Sequence, residues 1–140
     1  MRGLQLLLDG PFDIRQSGAL YWSPLQFPET RELPFRFARE HIDELAKKVP
    51  REVGSDYAAS FVVAANSFCS AEGAREAEAF FGPRVKEWTG AERRLANSLE
   101  IIRLCETRKN LLGPQLQAAW GGVTGSNIPS DTKLGQRPVH

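Results

Sequence analysis

Histidine, cysteine and methionine are scarce in this 140-residue chain, at two, two and one. A zinc or iron centre needs three or four convergent ligands, so little is present from which to build one. Cys69 and Cys105 lie far apart without metal-type spacing. The expectation is a pair of buried free thiols, since unpaired cysteine is among the most buried residue types, with a disulfide as the alternative. An excess of one charge is also missing. Lys and Arg total 18 against 17 Asp and Glu, a net charge of +1. That leaves no electrostatic case for nucleic acid or an anionic membrane as partner. No apolar run approaches the length of a membrane span. The patch from Met1 to Leu8 is too short for a signal-peptide core, and no small-residue cleavage site follows it. A cytoplasmic location is expected for the chain as written. Period-two alternation long enough for a strand is lacking as well.

What is present is helical punctuation. Apolar residues make 41% of the chain and charged residues 25%, the usual mixture for one globular domain. Arg2 to Asp9 reads as the end of a helix broken by Gly10-Pro11. Asp13 can cap a second helix running through Ile14, Ala19, Leu20 and Trp22 to about Leu25. So abrupt a beginning suggests a piece of a longer chain whose preceding helices would cover residues 1–25. Pro28-Glu29-Thr30 opens a third helix. Its stripe is Leu33, Phe37, Ile42, Leu45 and Val49, with Glu29 and Glu32 early and Lys47 and Lys48 late, as the helix dipole favours. Pro50 ends it. Gly54-Ser55 starts a fourth helix, with Tyr57, Phe61, Val62, Ala65 and Phe68 on one side and small residues that permit close approach. It should be the most buried.

Ser70 caps a fifth helix whose inner side carries Ala74, Ala77 and Phe80-Phe81. Gly82-Pro83 reads as its stop, with a single turn over 84–88 after it. Thr89-x-x-Glu92 has the capping-box pattern. From there Leu95, Leu99, Ile102 and Cys105 form the stripe of the best-defined helix. Gly113-Pro114 ends or kinks it, and Leu116 and Trp120 continue as a last short helix. Residues 121–140 are rich in turn formers and read as a flexible Gly-rich tail. The expected architecture is all-α. About six helices over residues 1–120 stack as antiparallel pairs in an irregular α-α superhelix of the HEAT or armadillo kind.

Chemistry is hard to find in these segments. His41 and Glu44 share a helical face, but one pair supplies too few ligands, and H-E-x-x-H is absent. His41 reads as a surface histidine among helix charges. Ser67, Cys69 and Ser70 lie close in sequence with no base placed to activate them, so core and cap roles explain them. Gly121-Gly122 and Gly125-Ser126 lack the lysine and following helix of a phosphate loop. Arg31, Arg36, Arg39, Arg84, Arg93, Arg94 and Arg103 are candidates for a cavity wall or an interdomain contact, against the simpler reading of a solvated face.

Three segments together carry a resemblance: PETRELPFRFAREHIDELAKKVP, FVVAANSFCSAEGAREAEAFFGPR and GAERRLANSLEIIRLC. In this order the chain resembles the C-terminal helical domain of zinc-dependent aminopeptidases of the alanyl and puromycin-sensitive type, also called the endoplasmic-reticulum-aminopeptidase-like domain. The matching run spans roughly Leu4 to Trp120. The resemblance implies an α-α superhelix that closes over a catalytic domain in cis, shapes the chamber that admits peptides and limits substrate size. The zinc ligands, the catalytic glutamate and the G-x-M-E-N motif of such enzymes belong to an upstream domain. No catalytic or metal residue therefore carries over, substrate-binding residues are unknown, and zinc would reside in the parent's catalytic domain. A chain of this kind should not hydrolyse peptides by itself. The rival expectations are a free-standing helical scaffold that binds a peptide or protein, and a small enzyme using His41.

Overall fold

The computed structural model describes residues 2–11, 13–52 and 55–123, with the side chains of 2–11, 13–50 and 56–120. Six α-helices are present among them. They are α1 (Arg2–Asp9), α2 (Ile14–Ser17), α3 (Ala19–Trp22), α4 (Leu33–Lys48), α5 (Ala71–Val85) and α6 (Ala91–Val123). Two 3-10 segments, Ser23–Gln26 and Tyr57–Ser67, complete the helical content. A two-residue antiparallel pairing sets Arg51 opposite Asp56 and Glu52 opposite Ser55, too short to show as alternation.

The centre of the molecule is the 3-10 segment Tyr57–Ser67, which packs against α4, α5 and α6. Eleven residues is long for this geometry, which seldom exceeds three or four. Its sequence explains how it persists. At 3.0 residues per turn, side chains three apart eclipse one another and form three edges. Ala58, Phe61, Ala64 and Ser67 make one buried edge, and Ala59, Val62 and Ala65 make a second. Tyr57, Ser60, Val63 and Asn66 make the third, which is half-buried. Alanines on both buried edges let neighbouring backbones come close. The expected α-helical stripe through Tyr57, Phe61 and Val62 is thus corrected, since Tyr57 lies on the outer edge. The segment opens on the buried Asp56, whose carboxylate accepts from the Ala58 N–H at 3.0 Å.

Aromatic side chains fix the neighbours on two sides of this segment. Tyr21 is fully buried. Its ring meets Phe61 edge-on at 5.2 Å, and its hydroxyl donates to the Phe61 carbonyl at 3.2 Å. On the other side Phe35 of α4 packs edge-on against Phe68, Phe80 and Phe81 at 4.7, 5.6 and 5.9 Å. Such pairs add about 0.5–1.5 kcal/mol beyond area burial. Arg31 fastens the far end of the segment by donating from Nε to the Ser67 carbonyl at 2.7 Å.

Several boundaries depart from the punctuation. The second helix is broken at Gly18 into α2 and α3, where a Cβ would meet the Tyr57 hydroxyl at 2.7 Å. Helix α4 begins at Leu33, so Glu29 lies before it. Pro34 stands in its first turn, where a missing N–H costs least, and Lys47 and Lys48 close it. Helix α5 passes through the expected stop at Gly82-Pro83 because Phe81 and Val85 are buried on its inner face. Thr89 is one residue too early to cap α6. Gly90, at φ 86°, turns the chain instead, and the Thr89 carbonyl accepts from the Asp56 N–H at 3.4 Å.

Pro114 lies inside α6, which neither ends nor restarts there. The carbonyl that loses its partner belongs to the exposed Asn110, where water can serve it. Residues 121–123 close this helix, so the expected tail does not begin at 121. The remainder of that tail, 124–140, lies outside the described residues.

The free thiols are also corrected. Cys69 and Cys105 are bonded, with Cα atoms 5.2 Å apart, and they join the start of α5 to the middle of α6 across 36 residues. Nothing in their sequence spacing reveals this, because the contact is made by packing of α5 on α6. Closing a loop of that length is worth about 4 kcal/mol by chain entropy. That is a large share of the ~5–15 kcal/mol that separates folded from unfolded states. Reduction of the full chain, or Cys105→Ser, is therefore expected to lower the melting midpoint by more than about 10 °C in calorimetry. An unchanged midpoint would exclude a stabilising role. Phe61→Ala removes a side chain that is 1% exposed on the central segment. It should cost about 3–5 kcal/mol in denaturant unfolding.

Candidate functional site

Helix α6 has two halves with different surroundings. In the first, Ala91, Leu95, Ser98, Leu99 and Ile102 are buried against the 3-10 segment Tyr57–Ser67 and α5. The boundary is fastened twice, by the disulfide at Cys105 and by Glu106, whose Oε1 accepts from the Ala71 N–H at 3.0 Å. Beyond Glu106 every described side-chain position through Trp120 is exposed, Gly113 alone being intermediate. The second half nevertheless keeps an apolar face. Leu112, Leu116 and Trp120 follow at helical intervals from Ile102 and Cys105, so the face buried in the first half continues uncovered in the second. Ile101, Leu104 and Leu111 add a second apolar edge beside it. Exposure reaches 59% at Leu104, 64% at Leu111, 56% at Leu116 and 71% at Trp120.

A helix of this length gains little stability from propensity alone and ordinarily relies on tertiary packing. An exposed contiguous apolar surface is the usual mark of an interaction site. The only formal charges on residues 107–120 are those of Arg108 and Lys109. This half of α6 is the strongest candidate site among the described residues. Its signal was present in the sequence at Ile101, Leu104 and Leu111, apolar residues that stand outside the stripe of Leu95, Leu99, Ile102 and Cys105.

The residues considered for chemistry are dispersed. His41 packs its ring on Phe37 at 4.7 Å and has carboxylate oxygens of Glu44 and Glu40 at 3.6 and 3.8 Å. Among the described residues no three His, Cys, Asp or Glu side chains form a group that could hold a metal ion. Ser67 is buried in the 3-10 segment, and Ser70 caps α5 by accepting from the Gly73 N–H at 3.1 Å.

The arginines do not line one cavity. Arg31 serves the Ser67 carbonyl. Arg39 pairs with Glu76 at 2.7 Å on the surface. Arg84 lies over the Phe80 ring at 4.6 Å and donates to the Phe80 carbonyl at 3.0 Å. Arg94 borders a shallow apolar hollow with Trp22, Tyr57 and Val63, while Arg103 borders a groove between α5 and α6. Arg36 and Arg93 are exposed.

Titration is perturbed near α2. Hydrogen bonds from the Arg15 side chain and backbone hold the Asp13 carboxyl down at about 2. Burial pushes the Tyr57 hydroxyl up, and the Asp13 charge adds to that. Burial alone raises Tyr21.

No family model, curated protein or solved structure matches the chain. No helix among the described residues is long and apolar enough to cross a membrane.

The depressed Asp13 group has a defined pH consequence. Its contribution to the cap of α2 is fully present above the unfolded carboxylate range near 4 and disappears as pH falls through about 2. A carbon-detected NMR titration should place the Asp13 midpoint at about 2. Arg15→Ala should return it toward the ordinary value, and an unchanged midpoint in that variant would remove Arg15 as the cause.

Proposed function

We propose that this chain is a non-catalytic helical domain that packs against the catalytic domain of a zinc aminopeptidase of the alanyl and puromycin-sensitive type. There it would form part of an α-α superhelix, cap the active-site chamber and restrict which peptides enter. The order of its helical segments supports the reading. The observation that carries it is the apolar surface left open on the N-terminal elements. Leu6 on α1 is 51% exposed and Phe27, just after the first 3-10 segment, 58%. Leu20, on the α3 that packs with α1, is 36% exposed. These are the elements that preceding helices of such a superhelix would cover.

In this reading the zinc and the water it activates belong to the other domain, and this chain contributes shape. It would work by excluding large substrates and holding the chamber closed, so its effect falls on substrate size more than on the chemical step. The experiment is complementation. The chain is mixed with the catalytic portion of an alanyl-type aminopeptidase, and release of N-terminal residues is followed on short and long peptides. The expected outcome is no hydrolysis by the chain alone and altered length selectivity in the mixture. Phe27→Asp should abolish that effect while shifting folding stability by no more than about 0.5 kcal/mol, as for other exposed positions. Hydrolysis by the purified chain alone would overturn the reading.

A further inference from the structure

We propose that Arg108-Lys109 is a processing site, where an endopeptidase specific for basic residues cuts the chain after Lys109 and detaches the uncovered half of α6 from the folded body. This role goes beyond the one proposed above and does not rest on it.

Three adjacent basic pairs occur in the sequence, Lys47-Lys48, Arg93-Arg94 and Arg108-Lys109. All of these side chains are exposed, so exposure alone does not separate the pairs. The backbone beneath them does. An endopeptidase acts on a locally opened chain, and its rate follows the population of that opening when opening is fast. Opening α4 at Lys47-Lys48 would pull Leu45 and Val49 out of the core and break the bond from the Lys48 ammonium to the Leu8 carbonyl. Opening α6 at Arg93-Arg94 would expose Ala91, Leu95 and Ser98. Opening at Arg108-Lys109 uncovers nothing, because the last buried side chain among the described residues of that helix is Ile102.

The sequence weakens the helix on the far side of the pair and secures it on the near side. Gly113 and Pro114 both disfavour a helix interior, and Pro114 deprives the Asn110 carbonyl of its intrahelical donor. Asn110 is the residue just after the bond to be cut. Immediately before the pair, Cys105 is bonded to Cys69, and Glu106 Oε1 accepts from the Ala71 N–H. Fraying that begins in the second half of α6 therefore reaches the basic pair and stops at Glu106 and Cys105.

The cut is a hydrolysis. The bond between the Lys109 carbonyl carbon and the Asn110 nitrogen breaks and one water is consumed. Its oxygen joins Lys109 as a carboxylate, and its two protons pass to Asn110 as an ammonium. The endopeptidase supplies the catalytic groups and an acidic pocket for the Lys109 side chain. One product keeps every buried residue of the domain and its disulfide. The other carries Leu111, Leu112, Leu116 and Trp120. Cleavage would thus remove the exposed apolar surface without unfolding the body that bears it.

The test needs no catalytic portion, so it stands apart from the complementation experiment. The full oxidised chain is digested with a trace of trypsin, and the cuts are timed by mass spectrometry. Cutting after Arg108 or Lys109 should be at least tenfold faster than at Lys47, Lys48, Arg93 or Arg94. The trimmed body should keep the melting midpoint of the intact chain. Pro114→Ala restores a donor for the Asn110 carbonyl and should slow the cut severalfold. In chain isolated from its own cells, labelling of carboxyl termini should find one at Arg108 or Lys109. Equal or faster cutting at either other pair overturns the proposal, as does a body that loses its melting transition on cleavage. Unchanged cutting in Pro114→Ala overturns it as well, and so does isolated chain with no terminus at this pair.

Discussion

The structure depends on the close packing of a three-edged rod. Tyr57–Ser67 turns once every three residues, and two of its three edges are buried. Alanine alternates with Phe61 and Val62 along those edges, so helices on both sides can approach where the side chains are small and lock where they are large. Tyr21 and Phe35 do the locking from opposite sides, one directly on Phe61 and the other through Phe68. Helix α6 is placed by the same rod, since its first half lies against it. Poor hydrogen-bond geometry makes a long 3-10 run unfavourable in isolation. Here packing on two sides, with Asp56 at one end and Arg31 at the other, supplies the compensation.

The forces that hold the periphery are unequal. The pair Arg39–Glu76 is more than 40% exposed on both sides, and such surface pairs contribute little. The covalent link between Cys69 and Cys105 is of a different order. It sits where α6 passes from a packed helix to an uncovered one, so the stable body of the domain and its candidate docking surface meet at one residue. Disulfides persist where the surroundings are oxidising. The expectation of two free thiols did not anticipate this link.

Much of the helical content was legible in the sequence, and the reasons are local. Asp13 and Ser70 cap α2 and α5 as their types and positions suggest. Pro34 near the start of α4 and Lys47-Lys48 at its end likewise mark that helix. Glycine and proline misled at Gly82-Pro83, and at Gly113-Pro114 the helix does not end. Buried Phe81 and Val85 carry α5 through the first, and at the second the carbonyl left without a partner belongs to exposed Asn110. The period of Tyr57–Ser67 could have been read as three. A 3.6-residue template absorbs it, because Phe61, Val62 and Ala65 satisfy both. The disulfide, the Tyr21–Phe61 contact and the Arg31–Ser67 bond depend on residues brought together by folding over 36–40 positions, and no local pattern encodes them. The candidate site was half visible. Leu116 and Trp120 were recognised as helical, but the outer edge at Ile101, Leu104 and Leu111 became meaningful only once the inner stripe was seen to end.

The three-residue turn of the central rod also bears on how this sequence can vary in length. Insertion of one residue between Ala58 and Asn66 would rotate everything after it by about 120°, carrying the half-buried edge into the core and a buried edge toward water. Insertion of three would restore every edge and only lengthen the rod by about 6 Å. An α-helix has no such small whole-number repeat and meets a comparable match only at seven residues. Homologous chains should therefore differ in this segment by none or by three.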